Sequence, residues 1–424
     1  MSQFNYINNT LHAESLSVLD IANKMNTPFY LYSATEIETN YQAFSQGLSK
    51  VNAQICYAVK ANSNQAILKT LALLGSGADV VSAGELKRVL AAGIPASKIV
   101  FSGVGKTAQE ISAALKTGIL QFNVESKPEL KHISEICLTL NLTANIAIRI
   151  NPDIEANTHE KISTGKAENK FGIEYTNAKE IYAFAASLSG INVQGIDVHI
   201  GSQITSLTPF KATFIKIAKL VTELTNEGHS IKVIDVGGGL GVTYNPETEK
   251  QCDLQQYAEL IHQYLSPLGC SIIVEPGRAL LASAGLLVTR VNYVKTSPDK
   301  QFLILDAAMN DFARPSLYDA YHQIIPVVQK NVKQQSSSTS IYDIVGPVCE
   351  TGDTFAKARE LPSIEQGELL VIKDTGAYGS VMSSTYNTRP FIGEMMVKGK
   401  QLSTIREPQT LAELINKDKL PNWL

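Results

Sequence analysis

The sequence predicts an α/β protein: a TIM-type (β/α)8 barrel followed by a C-terminal β domain of sandwich or barrel type that takes in the N-terminal strand. Three observations lead there. Short β-branched runs alternate with amphipathic segments over residues 54–276, eight runs in all, and eight parallel strands close such a barrel. Polar and charged residues gather at the carboxyl ends of those runs, where a barrel of this kind carries its functional groups. Beyond Arg278 the alternation stops, and strand-like runs separated by turns replace it. An open doubly wound sheet is the competing arrangement for the first part, because strand number alone does not fix closure.

After a polar start, residues 28–33 read as a strand and 34–50 as a helix with Ser33 as its N-cap. Barrel strands are read at 54–59, 77–82, 98–103, 120–125, 144–151, 193–200, 231–238 and 270–276. Helices are read between them at 65–74, 84–92, 107–116, 178–188, 209–226 and 254–265, and the helix before the first strand fills the slot left by an absent last one. Downstream, 285–294, 301–306, 341–345, 368–372 and 394–397 read as strands, and the Gln/Ser-rich tract 331–340 as a loop. The expected organisation is an N-terminal segment, 1–33, that packs with the C-terminal domain, a cofactor-binding barrel over 34–278, and a β domain over 279–424.

Bulk composition narrows the function. A chain of 424 residues exceeds one ordinary core, so two domains are expected. With 44% hydrophobic and 18% charged residues and a formal charge of -3, it has the balance of a soluble globular protein and no basic surface for nucleic acid or an anionic membrane. Five cysteines without a CxxC pair point to free thiols in a reducing compartment. No basic and apolar leader and no run long enough to span a bilayer is present, so the cytoplasm is expected. No metal site is expected.

The chemistry starts at Lys60, in the stretch QICYAVKAN over 54–62. A buried strand that ends in lysine leaves the amine partly desolvated, which favours the neutral form able to attack a carbonyl and make a Schiff base. The alternative is a lysine snorkelling from a strand end. Other strand ends are loaded too: Asp79 with Ser82, Gly84 and Glu85; Arg149 with Asn151; His199, Gly201, Ser202 and Gln203; the run Gly237, Gly238, Gly239, Leu240, Gly241; and Glu275, Pro276, Gly277, Arg278. A glycine run lets backbone N–H groups approach an anion, although alone it also fits a tight loop. A phosphate site, an imine-forming lysine, a flat imidazole to stack on a ring and an acid for a ring nitrogen together describe pyridoxal 5′-phosphate.

The motifs YAVKAN, DVVSAGE, NKFGI, HIGSQ, GGGLG, EPGR, RPSLY, GPVCETGD and GAYG occur in the order seen in diaminopimelate decarboxylases, and on them the chain resembles that family. These enzymes are relatives of ornithine and arginine decarboxylases and, more distantly, of alanine racemases. The resemblance implies that Lys60 carries the cofactor, His199 stacks on its ring, Ser202 with Gly238, Gly239 and Gly241 holds its phosphate, and Glu275 partners the ring nitrogen. Asp79, Pro276, Gly277, Arg278 and Tyr378 complete the cofactor set. Arg278, Arg314, Tyr318, Glu350 and Tyr378 are implied to bind substrate, and Cys349 to donate a proton. Two arginines suit the remote carboxylate of a diacid, and Glu350 would meet a remote ammonium.

Glu350 after the motif cysteine, and Gln203 ending HIGSQ, match the diaminopimelate pattern; the ornithine enzymes typically carry aspartate and glycine there. The implied reaction is meso-2,6-diaminopimelate to L-lysine and carbon dioxide, the last step of lysine synthesis. A homodimer with shared active sites is implied as well, with Cys349 and Glu350 reaching the cofactor of the partner subunit, while the sequence leaves open whether they act on their own barrel. Two departures from the family pattern stand out: Asn169 where serine is common, and YNTRPFIGE over 386–394 where YNSRPRPAE is common. The rival readings are another decarboxylase or racemase of the same fold and a silent regulatory homologue, and intact Lys60, His199, Glu275 and Cys349 speak against the latter.

Overall fold

The computed structural model describes residues 2–155, 170–250, 252–330 and 339–424. They form two compact units, one of Glu38–Thr243 with Lys250–Leu280, the other of Met1–Ile37, Tyr244–Glu249 and Leu281–Leu424.

The first unit is a closed barrel. Its strands are Ala53–Ala58, Gly77–Val80, Ile99–Phe101, Gln121–Val124, Ala144–Asn151, Ile191–Asp197, Val233–Asp235 and Ser271–Val274. Each pairs in parallel with its neighbours, and the last returns to the first through Ile272 to Ala53 and Val274 to Ile55, so the sheet has no edge along this circuit. Closure decides between the two arrangements that strand number left open.

Several expected strands run past the observed ladders, and the reason is local. The residues at their carboxyl ends leave the sheet to build loops: Ser82 turns to cap helix Ala83–Ala92 through its hydroxyl and the Glu85 amide, and Gly237 takes φ +64, which a strand cannot continue. Lys60 is likewise two residues beyond its ladder, in a 3-10 turn over Val59–Ala61.

Helices Gln65–Leu73, Ala83–Ala92, Ala108–Thr117, Lys127–Leu140, Ala178–Ala186, Thr208–Asn226 and Leu254–Tyr264 follow successive strands. Helix Lys127–Leu140 is absent from the expected set, although it buries Leu130, Ile133, Ser134 and Cys137 at helical spacing and carries the Ser126 cap on the Glu129 amide and a proline in the first turn. The helix Ala34–Gly47 ends with Gly47 against Leu254 and Ala258, beside the last helix, in the slot foreseen for it.

The second unit is mostly sheet. Strand Phe29–Ser33, buried throughout, pairs antiparallel with Gly285–Thr296 and parallel with Gly393–Lys398. The N-terminal strand is thus built into the C-terminal sheet, whose order runs Thr354–Pro362, Thr339–Val345, Gln301–Leu305, Gly285–Thr296, Phe29–Ser33, Gly393–Lys398, Gln401–Arg406. Its core gathers Phe29, Leu31, Leu286, Val288, Val371 and Met395.

The polar start conceals a small sheet of Phe4–Ile7, Thr10–Ala13 and Leu16–Ser17 with helix Val18–Lys24, elements too short and too mixed to show a period. Ser33 caps helix Ala34–Gly47 as expected, accepting from the Glu36 amide at 3.0 Å. Of the tract read as a loop, 331–338 lies outside the described residues, and Thr339 and Ser340 already pair with Pro362 and Leu361. The expected Asn169 variation also lies outside them.

Gly77 shows how tightly the barrel wall is closed. A Cβ there would sit 2.3 Å from the Lys98 carbonyl oxygen and 2.8 Å from Cys56 Sγ. Gly77→Ala should lower stability by about 2 kcal/mol, read as a shifted urea midpoint at unchanged slope.

Candidate active site

At the carboxyl rim of the barrel, Lys60 Nζ lies 3.6 Å from Asp79 Oδ2. The side chain is 40% exposed, a partly desolvated amine, and it lies in the turn Val59–Ala61 that follows the strand. Asp79 is buried, and among the described residues neither of its oxygens has a hydrogen-bond partner, so the Lys60 ammonium is its near counter-charge.

The glycine run is fixed by close backbone approach. A Cβ on Gly237 would meet the Val198 carbonyl oxygen at 2.6 Å and His199 Nδ1 at 2.8 Å; on Gly238, the Glu275 carbonyl oxygen at 2.3 Å; on Gly239, the Gly201 carbonyl oxygen at 2.4 Å. Gly237 and Gly239 also hold φ +64 and +102. Gln203 closes the run from the other side, donating through Nε2 to the Val242 carbonyl at 2.6 Å and accepting the Val242 amide at 3.2 Å. Pro276 and Gly277 join the rim to the first strand, since the Pro276 carbonyl accepts the Ala58 amide and a Cβ on Gly277 would touch Ala61.

His199 accepts the Gly238 N–H through Nδ1 at 3.1 Å, which leaves the hydrogen on Nε2. Burial, with Lys60 and Arg149 nearby, holds its pKa well below the ordinary histidine range, so the ring is a neutral flat surface. Glu275 is pushed the opposite way: burial, then Asp235, Asp79 and Asp197, raise its carboxyl well above the usual range. Asp235, raised to about 6 chiefly by burial, accepts the Gly237 amide at 3.0 Å and Asn123 Nδ2 at 3.1 Å; Asn123 also reaches Glu275 Oε1 at 3.4 Å. Arg278 is buried and donates from Nη2 to Ser202 Oγ at 3.0 Å.

This arrangement fits pyridoxal phosphate. A cluster of buried carboxylic acids around Glu275 is relieved by a cation placed against it, and a protonated ring nitrogen is one. Asp197, Asp235 and Asn123 escaped the sequence reading because they sit inside runs read as apolar strands. The available signal was an acid at an inward strand position just before a glycine or histidine motif, as in IDVGGG and IDVHIG.

The sheet unit carries the other expected residues. Cys349 is exposed, unlike the four other cysteines, and its amide donates to Asn387 Oδ1 at 3.1 Å. Its turn is tied by Asp353, which accepts the Val348 and Met309 amides at 2.7 Å each and leaves no room for a Cβ on Gly346. Glu350 is exposed beside it. Arg314 is buried and opens helix Arg314–Tyr318, with Tyr318 half-buried at its end. Tyr378 holds φ +56 in the GAYG turn, where a Cβ on Gly376 would collide with the Leu281 carbonyl oxygen. The departure at YNTRP places Thr388 at φ +58, while Arg389 spans Asn310 Oδ1 and the Asp306 carbonyl.

No group of three or more His, Cys, Asp or Glu side chains among the described residues could hold a metal ion, and no helix there is long and apolar enough to cross a membrane.

Comparison with known proteins gives a consistent picture. Residues 34–282 match the model of the pyridoxal-binding domain of pyridoxal-dependent decarboxylases. The chain is 47% identical over 416 residues to the diaminopimelate decarboxylase of Vibrio cholerae, covering 98% of both chains. It is 44% identical over 427 residues to that of Zymomonas mobilis, covering 100% of both. Among solved structures it is similar to diaminopimelate decarboxylase from M. jannaschii in co-complex with L-lysine, at TM-score 0.94 and 36% identity over 100% of this chain and 99% of that one. It is similar too to the Helicobacter pylori enzyme complexed with L-lysine, at TM-score 0.89 and 44% identity over 94% and 98%.

Asp353→Ala should free the Cys349 turn by removing the acceptor of two buried amides. A loss of about 1–3 kcal/mol is expected, with faster hydrogen exchange confined to the amides of 346–354.

Proposed function

Because the chain belongs to the diaminopimelate decarboxylases, a family of pyridoxal-dependent enzymes, we propose a division of labour among its residues for that reaction. The enzyme converts meso-2,6-diaminopimelate to L-lysine and carbon dioxide with pyridoxal 5′-phosphate as cofactor. The observation that carries the division is the meeting, at one barrel rim, of Lys60, a neutral His199, a glycine run packed to contact and a buried Glu275.

Lys60 is the point of covalent attachment, His199 the flat face against the ring, and Ser202 with Gly238, Gly239 and Gly241 the cradle of the phosphate. The cofactor, when bound, supplies an electron-poor ring that accepts the electron pair of the breaking carbon–carbon bond. Glu275, whose carboxyl burial and then Asp235, Asp79 and Asp197 hold well above its usual range, would partner a ring nitrogen of the cofactor through a charge-assisted hydrogen bond. Asp79 holds Lys60 at the mouth of the barrel.

Arg278 and Arg314 bind substrate carboxylates, Glu350 the remote ammonium, and Tyr318 and Tyr378 line the substrate. Cys349 Sγ delivers the proton to the carbon that has lost carbon dioxide. In this reading 34–278 is the cofactor domain, and 1–33 with 279–424 the domain of substrate recognition. We place the enzyme in the cytoplasm as a homodimer with shared sites. Free thiols support the compartment, and the exposure of Cys349 and Glu350 supports a role at a shared site.

Two experiments test this. Offered meso-diaminopimelate, ornithine and arginine separately, the holoenzyme should release carbon dioxide from the first; turnover of ornithine alone would overturn the substrate assignment. Lys60→Ala should abolish activity and Cys349→Ala should cut kcat by ~10²-fold or more. Mixing the two variants after mild dissociation should restore activity toward about a quarter of the sites if lysine and cysteine come from different subunits. No recovery in mixed dimers would assign both groups to one chain.

A further inference from the structure

A line of side-chain amides inside the barrel ends on the acids of the rim. Gln121 and Asn123, two residues apart in strand Gln121–Val124, are fully buried and share one face of that strand. Gln194 donates from Nε2 to Gln121 Oε1 at 3.3 Å, and Gln121 from Nε2 to Asn123 Oδ1 at 2.9 Å. Asn123 then donates from Nδ2 to Asp235 Oδ2 at 3.1 Å and to Glu275 Oε1 at 3.4 Å, with Ser102 Oγ at 3.2 Å as the third acceptor beside that nitrogen. Asp235 and Glu275 are hydrogen-bonded to each other. The strand is pinned at the same point by Lys106, whose ammonium meets the Asn123 backbone carbonyl at 2.7 Å.

We propose that Asn123 is a positioning residue for the cofactor, the last link of an amide chain that holds negative charge on the Asp235 and Glu275 pair and fixes Glu275 where a ring nitrogen meets it. The proposal rests on the reading of Glu275 as the partner of that nitrogen. Direction is what makes the chain effective. The Asn123 nitrogen faces carboxyl oxygens while its oxygen faces the Gln121 amide hydrogens, so a flipped amide would oppose like groups at both ends. Gln121 and Gln194 point the same way, and three dipoles add head to tail with their positive ends towards the acids. Amide hydrogens stabilise an ionised carboxylate without bringing a further cation into the site. The other ionisable groups that bear on the pair are Asp79, Asp197, Cys56 and Tyr257, with Lys60 acting on Glu275 and Arg149 on Asp197. Asn123 touches both members of the pair at once.

Two readouts that do not depend on turnover test this. The cofactor-free protein is titrated with pyridoxal 5′-phosphate, and the ring nitrogen of 15N-labelled cofactor is observed by solid-state NMR in the loaded protein at neutral pH, where a protonated and an unprotonated ring resonate far apart. Asn123→Leu should weaken cofactor affinity about tenfold, the loss of hydrogen bonding to a charged group, and should move the ring signal from the protonated towards the unprotonated position. Gln121→Leu keeps the hydrogens of Asn123 and removes the dipoles behind them, so both readouts should change in the same direction by less, about twofold to threefold in affinity. Val100→Ala is the packing control. Val100 pairs with Gln121 and belongs to an apolar cluster with Cys56 and Ile273, so its truncation should lower the urea midpoint and leave the ring signal in place.

An unmoved ring signal in Asn123→Leu, or an equal shift in Val100→Ala, would reduce Asn123 to a packing residue and overturn the proposal. Glu275→Gln is the separate control. If it moves the ring signal and Asn123→Leu does not, the role of Glu275 stands and that of Asn123 falls; if it leaves the signal unchanged, both fall. Should Asn123→Leu fail to fold, Gln121→Leu decides, a moved ring signal supporting the chain and an unmoved one overturning it.

Discussion

Backbone contact between the glycine run and the strands on either side of it is the constraint on which the barrel site depends. Gly237 reaches Val198 and His199, Gly238 reaches Glu275, and Gly239 reaches Gly201, each within a distance that excludes a side chain. Three successive strand ends are locked together by this packing, and the same hydrogen bond that seats Gly238 sets the tautomer of His199. Geometry and protonation are therefore one property here. A loop with any larger residue would part the strands and release the imidazole together.

The second theme is surplus negative charge. Asp79, Asp197, Asp235 and Glu275 converge around the rim, while Lys60 and Arg149 are the cations that bear on them, and Arg149 is shared with Glu125 at 3.0 Å. Burial and mutual repulsion raise the carboxyls of Glu275 and Asp197 well above their usual range and that of Asp235 to about 6. In the sheet unit buried Arg314 donates through Nε to His322 Nε2 at 3.3 Å.

Much of this was legible in the sequence, for identifiable reasons. Strand ends carry function in a parallel barrel, so Lys60, His199, Glu275 and Arg278 announce themselves by position, and Ser33 announces its helix by its capping chemistry. What stayed hidden depends on three-dimensional neighbours. Nothing in QFNV or VID marks Asn123 as the bridge between Asp235 and Glu275, and nothing in RPSLYDAYH says that its histidine faces back onto its arginine. The first barrel strand stops at Ala58, one residue short of its reading, because Val59–Ala61 turn away to carry Lys60. The first short strands were lost to their brevity.

Strand Phe29–Ser33 occupies an interior place in a sheet whose other members come from the far end of the polypeptide. During synthesis its five buried residues leave the ribosome long before Gly285–Thr296, and longer still before Gly393–Lys398. The barrel, built from contacts between successive elements, can close in the interval, whereas this sheet waits for the last part of the message. A nascent chain halted before Gly393 therefore exposes one side of an apolar ribbon, and the sheet unit is the part of the molecule that most needs protection while it is being made.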